Sequence, residues 1–106
     1  MSLTKFNAFE VISDSVRREI LENLKEESMP IHSLVEKFTI SRPAISKHLK
    51  ILEESGFISY NKLGRERYCK LSEQGFRELD AWIRKFEYFW KNKLENLEEL
   101  INKEDL

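Results

Sequence analysis

The stretch SRPAISKHLKILEESGFI, from Ser41 to Ile58, constrains the fold most, because it predicts one helix with two different faces. Ser41 is a favourable N-cap, Pro43 suits the first helical turn and Gly56 is a typical C-terminal cap, so a helix is predicted from about Arg42 to Ser55. At about 100° per residue, one half of this helix carries Ala44, Ile45, His48, Leu49, Ile51 and Leu52. The other half carries Arg42, Ser46, Lys47, Lys50, Glu53 and Glu54. One face is therefore expected to pack on the domain and the other to meet something outside it.

A second helix is predicted directly before this one. The segment from Ile31 to Phe38 has helical spacing, and the segment TIS after it forms a tight turn. Two helices joined by a tight turn are typical of a helix-turn-helix, whose second helix enters the DNA major groove. We therefore interpret the polar face as DNA-binding, although an ordinary solvated helix also carries lysine and glutamate. The candidate DNA-binding residues of this recognition helix are Ser41, Arg42, Pro43, Ser46, Lys47 and Lys50.

After Gly56 the pattern changes from helix to strand. FISYNK and RYCKL are rich in aromatic and β-branched residues and flank LGRE, which predicts a β-hairpin with a four-residue loop. A hairpin that follows a recognition helix is a wing, and Lys62, Arg65 and Arg67 are its candidate DNA contacts. Residues 41–72 hold seven Lys or Arg against three Asp or Glu, whereas the whole chain has a formal net charge of −1. A basic region in a near-neutral chain favours an anionic partner.

The segment DSVRREILENLKEE predicts a further helix, capped by Asp14 or Ser15. Arg17 and Arg18 lie at its start and are candidates for contacts with the DNA backbone. The alternative is that both are ordinary surface residues.

The C-terminal third predicts a long helix that begins at Ser72 and Glu73, with about 30 residues and a length of roughly 45 Å. Its apolar stripe consists of Phe76, Leu79, Ile83, Phe86, Trp90, Leu94, Leu97 and Ile101, accompanied by a second row of Trp82, Phe89 and Leu100. A monomer would leave these patches exposed, so we predict a homodimer through this helix and a helical segment from Thr4 to Ile12. A cavity for a hydrophobic effector is the alternative. The candidate dimer contacts are Phe6, Phe9, Trp82, Phe86, Phe89, Trp90 and Leu97.

Length and composition restrict the class of protein. The 106 residues suit one domain, with a winged-helix core over residues 4–72 and a dimerisation helix over residues 73–103. Cys69 is the only cysteine, which excludes an intramolecular disulfide and favours the cytoplasm. No apolar run is long enough for a membrane span. The sequence has neither a glycine-rich phosphate loop nor a catalytic set of side chains, so we predict no enzyme and no cofactor. His48 is expected to be packed and hydrogen-bonded, and Cys69 to be buried.

Three segments resemble the ArsR type of bacterial and archaeal winged-helix repressors: ISDSVRREILENL, SRPAISKHLKILEESGFI and GRERYCKL. The resemblance covers roughly Phe6 to Ser72. The segment ELDAWIRKFEYFWKNKLENLEEL is similar to the tail of a branch of the family that does not sense metals. The resemblance implies a homodimeric transcriptional repressor that binds an imperfect palindrome in a promoter.

Metal-sensing members of this family carry a cysteine pair in the helix before the turn, where this chain reads IHSLVEKF. Other members bind zinc through histidines and carboxylates of the terminal helix, and residues 73–106 contain no histidine. His32, His48 and Cys69 are too scattered in sequence for a recognisable metal site. The resemblance therefore carries no metal site over to this chain.

The sequence thus predicts a mainly α-helical fold with a small β-hairpin: a winged helix-turn-helix with a long C-terminal dimerisation helix. The predicted function is sequence-specific binding of double-stranded DNA by a homodimeric repressor at a palindromic operator, without membrane association. Two alternatives stay open. One is a winged helix that binds an acidic protein and never touches DNA, and the other is a repressor switched by a small-molecule or protein effector.

Overall fold

A computed structural model describes residues 6–104, which form six helices and three short strands. The helices are α1 (Ala8–Ile12), α2 (Ser15–Leu24), α3 (Ile31–Val35), α4 (Arg42–Glu54), α5 (Glu73–Arg84) and α6 (Glu87–Glu104). The strands are β1 (Met29–Pro30), β2 (Ile58–Leu63) and β3 (Glu66–Leu71). The predicted winged helix-turn-helix is confirmed, with α3 and α4 as the helix-turn-helix and β2 and β3 as the wing.

Helix α4 is built by the signals that its sequence carries. The Oγ of Ser41 accepts a hydrogen bond from the N–H of Ala44 at 3.3 Å, and Pro43 lies in the first turn. The helix ends one residue earlier than predicted, with Ser55 as the C-cap. Gly56 follows with a φ of +81°, a conformation that glycine adopts at little cost. Helix α4 is therefore determined mainly by local chemistry.

The wing has a tighter turn than the predicted four-residue loop. Leu63 pairs with Glu66 as the last rung of the β2–β3 ladder, so only Gly64 and Arg65 lie in the turn. Gly64 has a φ of +63°, and among the described residues no side-chain-bearing residue has a positive φ. This sign pattern is that of a type II′ hairpin turn, which requires glycine at its first central position.

Strand β1 was not predicted, because two residues that include a proline carry no periodicity. It pairs antiparallel with β3, with Met29 opposite Cys69 and Pro30 opposite Tyr68, so the sheet has the order β1-β3-β2. The strand connects α2 to α3 and thereby attaches the helix-turn-helix to the wing.

The core lies where α1, α2, α3 and α4 meet the sheet. Its buried apolar residues are Ala8, Val11, Ile20, Leu21, Leu24, Met29, Leu34, Ile45, Leu49, Leu52, Phe57, Ile58 and Cys69. Phe57 is fully buried and packs edge-to-face on Phe76 of α5 at a centroid distance of 4.9 Å. Gly75 makes this approach possible, since a Cβ atom at that position would lie 2.5 Å from the Phe57 ring. The first turn of α5 is therefore attached to the end of α4.

The C-terminal third differs from the single helix predicted. Helix α5 ends at Arg84, a turn at Lys85 and Phe86 follows, and α6 begins at Glu87. The N–H groups of Lys85 and Phe86 donate to the carbonyls three residues earlier, at 3.1 and 3.0 Å, so the ladder tightens there. The apolar pattern hides this break, because the step of three from Ile83 to Phe86 suits both a tight turn and a continuous helix.

Two further helices are shorter than predicted. Helix α1 starts at Ala8, with the side chain of Asn7 accepting a hydrogen bond from the N–H of Glu10 at 2.9 Å. The part of the predicted first helix at residues 4 and 5 lies outside the described residues. Helix α3 ends at Val35, and its predicted last turn up to Phe38 is non-helical.

Candidate nucleic-acid interface

The two faces of α4 separate as the helical wheel predicts. Ile45, Leu49 and Leu52 are buried in the core. The predicted contact residues Ser41, Arg42, Pro43, Ser46, Lys47 and Lys50 are all exposed. Helix α4 therefore anchors itself with apolar side chains and presents three cations and two hydroxyls to its surroundings.

The three predicted wing residues Lys62, Arg65 and Arg67 are also exposed. Lys62 and Arg67 are opposite each other in the β2–β3 ladder, and Arg65 lies in the turn. The guanidinium of Arg67 lies 4.1 Å from the centroid of the Tyr60 ring, which favours the cation. Burial, the Cys69 thiol and Glu53 raise the pKa of Tyr60 to about 12 against the effect of Arg67, so its phenol stays neutral. Arg67 is thus held over a neutral aromatic face and remains free to attract anions.

The recognition helix and the wing line common grooves. Arg42, Arg65 and Arg67 border a groove of about 230 Å³, together with Pro30, Ile31, His32 and Glu66. A neighbouring groove of about 190 Å³ is lined by Ser46, Lys50 and Arg67, with Ile31, Leu49, Glu53 and Tyr60. Arg67 borders both grooves. The basic residues of the recognition helix and those of the wing that follows it therefore form one surface.

Arg17 is not on this surface, and the expectation that it contacts the DNA backbone is wrong. Its side chain is 9% exposed. Nε donates to the carbonyl of Val11 at 2.7 Å, a terminal nitrogen donates to the carbonyl of Glu10 at 3.2 Å, and the other lies 3.3 Å from Nδ1 of His48. All three contacts are internal, so Arg17 joins α1 and α2 to the recognition helix.

Arg18 is exposed, and one of its terminal nitrogens donates to the carbonyl of Ile12 at 2.7 Å. Its charge therefore lies at the surface of the α1–α2 turn, where it stays a candidate for a backbone contact.

His48 has the packed, hydrogen-bonded position that was predicted. It is partly buried, and because arginine has no acceptor, its Nδ1 must accept the hydrogen bond from Arg17. In the neutral ring the proton is therefore on Nε2, and the ring carries a charge only when Nδ1 is protonated as well.

Asp14 caps α2 beside this contact by accepting hydrogen bonds from the N–H groups of Val16 and Arg17 at 2.8 and 3.1 Å. Burial by itself raises the pKa of Asp14. The backbone N–H of Arg17, the charge of His48, the N–H of Val16 and the charge of Arg17 together outweigh burial and lower it. The carboxylate form of Asp14 is therefore favoured by the folded chain.

Cys69 is fully buried in β3, as predicted. Burial and the nearby charge of Glu53 raise the pKa of its thiol to about 12, against the effect of Arg67. Within residues 6–104, no group of three or more His, Cys, Asp or Glu side chains is arranged to hold a metal ion. Over the same residues, none of the helices combines the length and the apolar character that crossing a bilayer requires.

The predicted dimer contacts form an exposed apolar surface on α1, α5 and α6, with Phe6 just before α1 and Phe86 in the turn between α5 and α6. Phe9 meets Trp82 edge-to-face at a centroid distance of 5.5 Å, and Trp82 meets Phe86 at 4.9 Å. Phe6, Phe9, Trp82, Phe86, Phe89, Trp90 and Leu97 nevertheless keep 37–58% of their surface exposed. Ile83, Leu94, Leu100 and Ile101 extend the patch and are exposed as well. An apolar surface of this extent is unusual for a monomer.

The contact between His32 and Glu66 at the groove could not be predicted from the sequence. His32 of α3 and Glu66 of β3 are 34 positions apart, and their side chains meet at 2.9 Å. No local periodicity relates residues so distant, and only the pairing of β1 with β3 brings them together.

The fold and the basic surface together define a winged helix-turn-helix protein of the DNA-binding class. A family model described as bacterial regulatory protein, arsR family, matches residues 14–60. The transcriptional repressor SdpR of Bacillus subtilis (strain 168) is 38% identical over 80 residues, which cover 76% of this chain and 89% of SdpR. The crystal structure of an ArsR family transcriptional regulator superposes with a TM-score of 0.70 at 30% identity, covering 79% of this chain and 92% of that chain. The chain belongs to the arsR family, and it is a DNA-binding transcriptional regulator and not an enzyme.

The solution structure of a homodimeric winged helix-turn-helix DNA-binding domain, Mb0332 from Mycobacterium bovis, has the same fold. Its TM-score is 0.60 at 15% identity, over 76% of this chain and 74% of that chain.

Proposed function

We propose that this regulator is a homodimeric repressor that binds a palindromic operator in double-stranded DNA. The observation that carries the proposal is the common groove of Arg42, Arg65 and Arg67, which joins the recognition helix to the wing. Cations from both elements lie on one surface and can bind the phosphates of the two DNA strands. Between those strands lies the groove in which the recognition helix contacts base edges.

The proposed contacts of α4 follow from its geometry. The major groove is about 12 Å wide and admits one helix, led by its N-terminal residues. Arg42, in the first turn, donates two bonds to a guanine edge, while Ser46 and Lys47 reach bases or phosphates. Lys50, two turns further along, meets a phosphate. Ser41 and Pro43 place the free N–H groups and the positive end of the helix dipole toward the backbone.

The proposed contacts of the wing and of α2 are with the DNA backbone. Arg65 in the turn and Lys62 beside it reach a phosphate or a narrow minor groove. Arg67, which lies over the Tyr60 ring, adds its positive charge to the same surface. Arg18 adds a contact from the α1–α2 turn, and Arg17 is left out because its guanidinium is bonded inside the domain.

The proposed dimer buries the apolar surface of α1, α5 and α6. A two-fold pair through these helices presents two recognition helices, which must lie about 34 Å apart to read successive major-groove faces. The exposed aromatic residues support this arrangement, and a neighbour of the same fold is described as homodimeric. If each subunit neutralises roughly four phosphates, log affinity falls with log salt with a slope near −7.

The protein acts in the cytoplasm in this proposal. The single cysteine supports that location, because Cys69 is a buried free thiol and no disulfide stabilises the domain.

The experiment that tests this function is selection of bound fragments from the source genome by the purified protein. We expect enrichment of a palindromic sequence, and a fall in affinity with salt of the size stated above. A winged helix that only binds acidic proteins predicts no enrichment. Absence of any sequence preference at low ionic strength contradicts the proposed function.

Control by a small effector is a second proposed property, favoured by a groove between β3 and α5. Its volume is about 350 Å³, with Leu71 and Phe76 as apolar lining and Glu73, Arg77 and Asp80 at its border. This size is in the range of small-molecule sites. A metabolite screen that follows the fluorescence of Trp82 and Trp90 and then operator affinity tests it, and a screen in which no compound changes either signal contradicts it.

A further inference from the structure

The contact between His32 and Glu66 lies inside the proposed DNA-binding groove. Nε2 of His32 is 2.9 Å from Oε1 of Glu66, and the two side chains are 53% and 47% exposed. Both residues line the groove that Arg42, Arg65 and Arg67 border. Glu66 thus places a carboxylate on the surface that is proposed to meet phosphates.

The register of the sheet explains why these residues meet. Met29 is opposite Cys69, and Pro30 is opposite Tyr68 in the β1–β3 ladder. His32 and Glu66 stand two positions beyond that last rung, where α3 has begun and backbone pairing has stopped. Their side-chain bond continues the ladder and attaches the tip of the wing, beside its turn, to the first turn of the helix-turn-helix.

The charges around the His32–Glu66 contact determine how it affects DNA binding. The side chains that line the groove around His32 are Glu66 and Arg67 of β3, Arg65 of the turn and Arg42 of α4. A carboxylate released here would pair with an arginine or repel a phosphate, and either effect opposes DNA binding. The bond to His32 instead directs the carboxylate of Glu66 toward α3.

We propose that His32 is a positioning residue that restrains Glu66, so that Arg42, Arg65 and Arg67 stay available to the operator and binding strengthens as the pH falls. The inference rests on the proposed function. Neutral imidazole donates its Nε2–H to the carboxylate, and imidazolium neutralises its charge as well. Arginine keeps its charge throughout, so lower pH makes the groove more positive.

The test measures the dissociation constant of the selected operator between pH 6 and pH 8 for four proteins: wild type, His32→Ala, Glu66→Gln and the double variant. His32→Ala is expected to weaken binding by about fivefold per half-site, the upper end of the value of an exposed ion pair. The operator affinity of this variant is expected to be nearly independent of pH. Glu66→Gln is expected to bind at least as tightly as wild type, and at pH 8 the double variant is expected to bind like Glu66→Gln.

The double variant separates positioning from direct contact. If His32→Ala weakens binding equally in the Glu66→Gln background at pH 8, His32 contacts DNA by itself and the proposal is overturned. Equal pH dependence in wild type and His32→Ala also overturns it, since the effect then comes from a group other than His32. Glu99→Gln, which removes the same charge from exposed α6, is the matched control and is expected to leave affinity unchanged.

Two different results distinguish a wrong role for His32 from a wrong function for the protein. A wild-type protein that prefers no duplex sequence contradicts both. A wild-type protein that selects an operator, but shows no coupling between His32 and Glu66, contradicts only the inference.

Discussion

A terminal guanidinium nitrogen of Arg17 lies 3.3 Å from Nδ1 of His48, so a buried side chain of α2 contacts the recognition helix directly. The same guanidinium holds the carbonyls of Glu10 and Val11 at the end of α1. α1 in turn carries Phe9, which packs on Trp82 of α5. The helices proposed for dimerisation and the helix proposed for DNA reading are therefore joined through one arginine.

Replacement of Arg17 is expected to destabilise the domain. Arg17→Ala leaves the carbonyls of Glu10 and Val11 without their donor and should lower the free energy of unfolding by about 1–3 kcal/mol. Arg18→Ala, one residue along on the surface, is the matched control and should change it by less than about 0.5 kcal/mol. Urea unfolding followed by tryptophan fluorescence measures both values. An equal loss of unfolding free energy in the two variants would show that the internal contacts of Arg17 stabilise the domain no more than a surface arginine does.

The cap at Asp14 predicts how stability depends on acid. Since folding lowers the pKa of Asp14, its contribution is present above the unfolded value of 3.8 and is lost as the pH falls through the lower folded value. Asp14→Ala should cost about 0.5–2 kcal/mol near neutral pH. Asp14→Asn keeps the cap, so it should cost less and should weaken the loss of stability in acid. Thermal unfolding between pH 2 and pH 7 checks this, and an unchanged acid profile in Asp14→Asn would refute the assignment.

Arg42 and Arg65 are expected to have different effects on DNA binding. Arg42→Ala should cost about 1–3 kcal/mol of binding free energy and relax the preference at one base position of each half-site. Arg65→Ala should weaken all duplexes alike and reduce the salt slope by about 1 per half-site. Competition binding with operators substituted at single positions measures both. An Arg42→Ala protein with unchanged affinity and unchanged sequence preference rules out α4 as the reading helix.

The apolar surface predicts a dimer that one charge disrupts. Leu97 is 52% exposed on α6, and Leu97→Asp would place a carboxylate where the proposed interface excludes water. Sedimentation velocity should then detect a folded monomer with a strongly reduced affinity for a palindromic operator. Glu98→Gln, the neighbouring change, should leave the dimer intact. A wild-type protein that sediments as a monomer at all concentrations would refute the proposed interface.

Cys69 is expected to be inert in the folded protein. With a thiol pKa of about 12, the thiolate fraction at pH 8 is on the order of 10⁻⁴, and the side chain is buried. A thiol reagent should therefore react only after urea unfolds the chain. Rapid labelling of the native protein would contradict the assigned position of Cys69 and would point to a redox role.

Local sequence predicted the elements whose causes are local. Ser41, Pro43 and Gly56 mark the ends of α4, and the change from helical to alternating pattern marks the hairpin. The same reasoning failed at Lys85, where an apolar step of three fits both a turn and a helix. It also failed at β1, since two residues are too few to show a period.

The sequence by itself determined the class of the fold and the basic face of α4, because capping and helical periodicity depend on neighbours within a few positions. Only the tertiary structure decided that Arg17 is internal and that Arg42 shares a groove with Arg65 and Arg67. His48 lies 31 positions from Arg17 and Glu66 lies 34 positions from His32, so both contacts depend on how helices and strands pack. The type of side chain determines which bonds a residue can make, whereas the packing of helices and strands determines which partner lies within bonding distance.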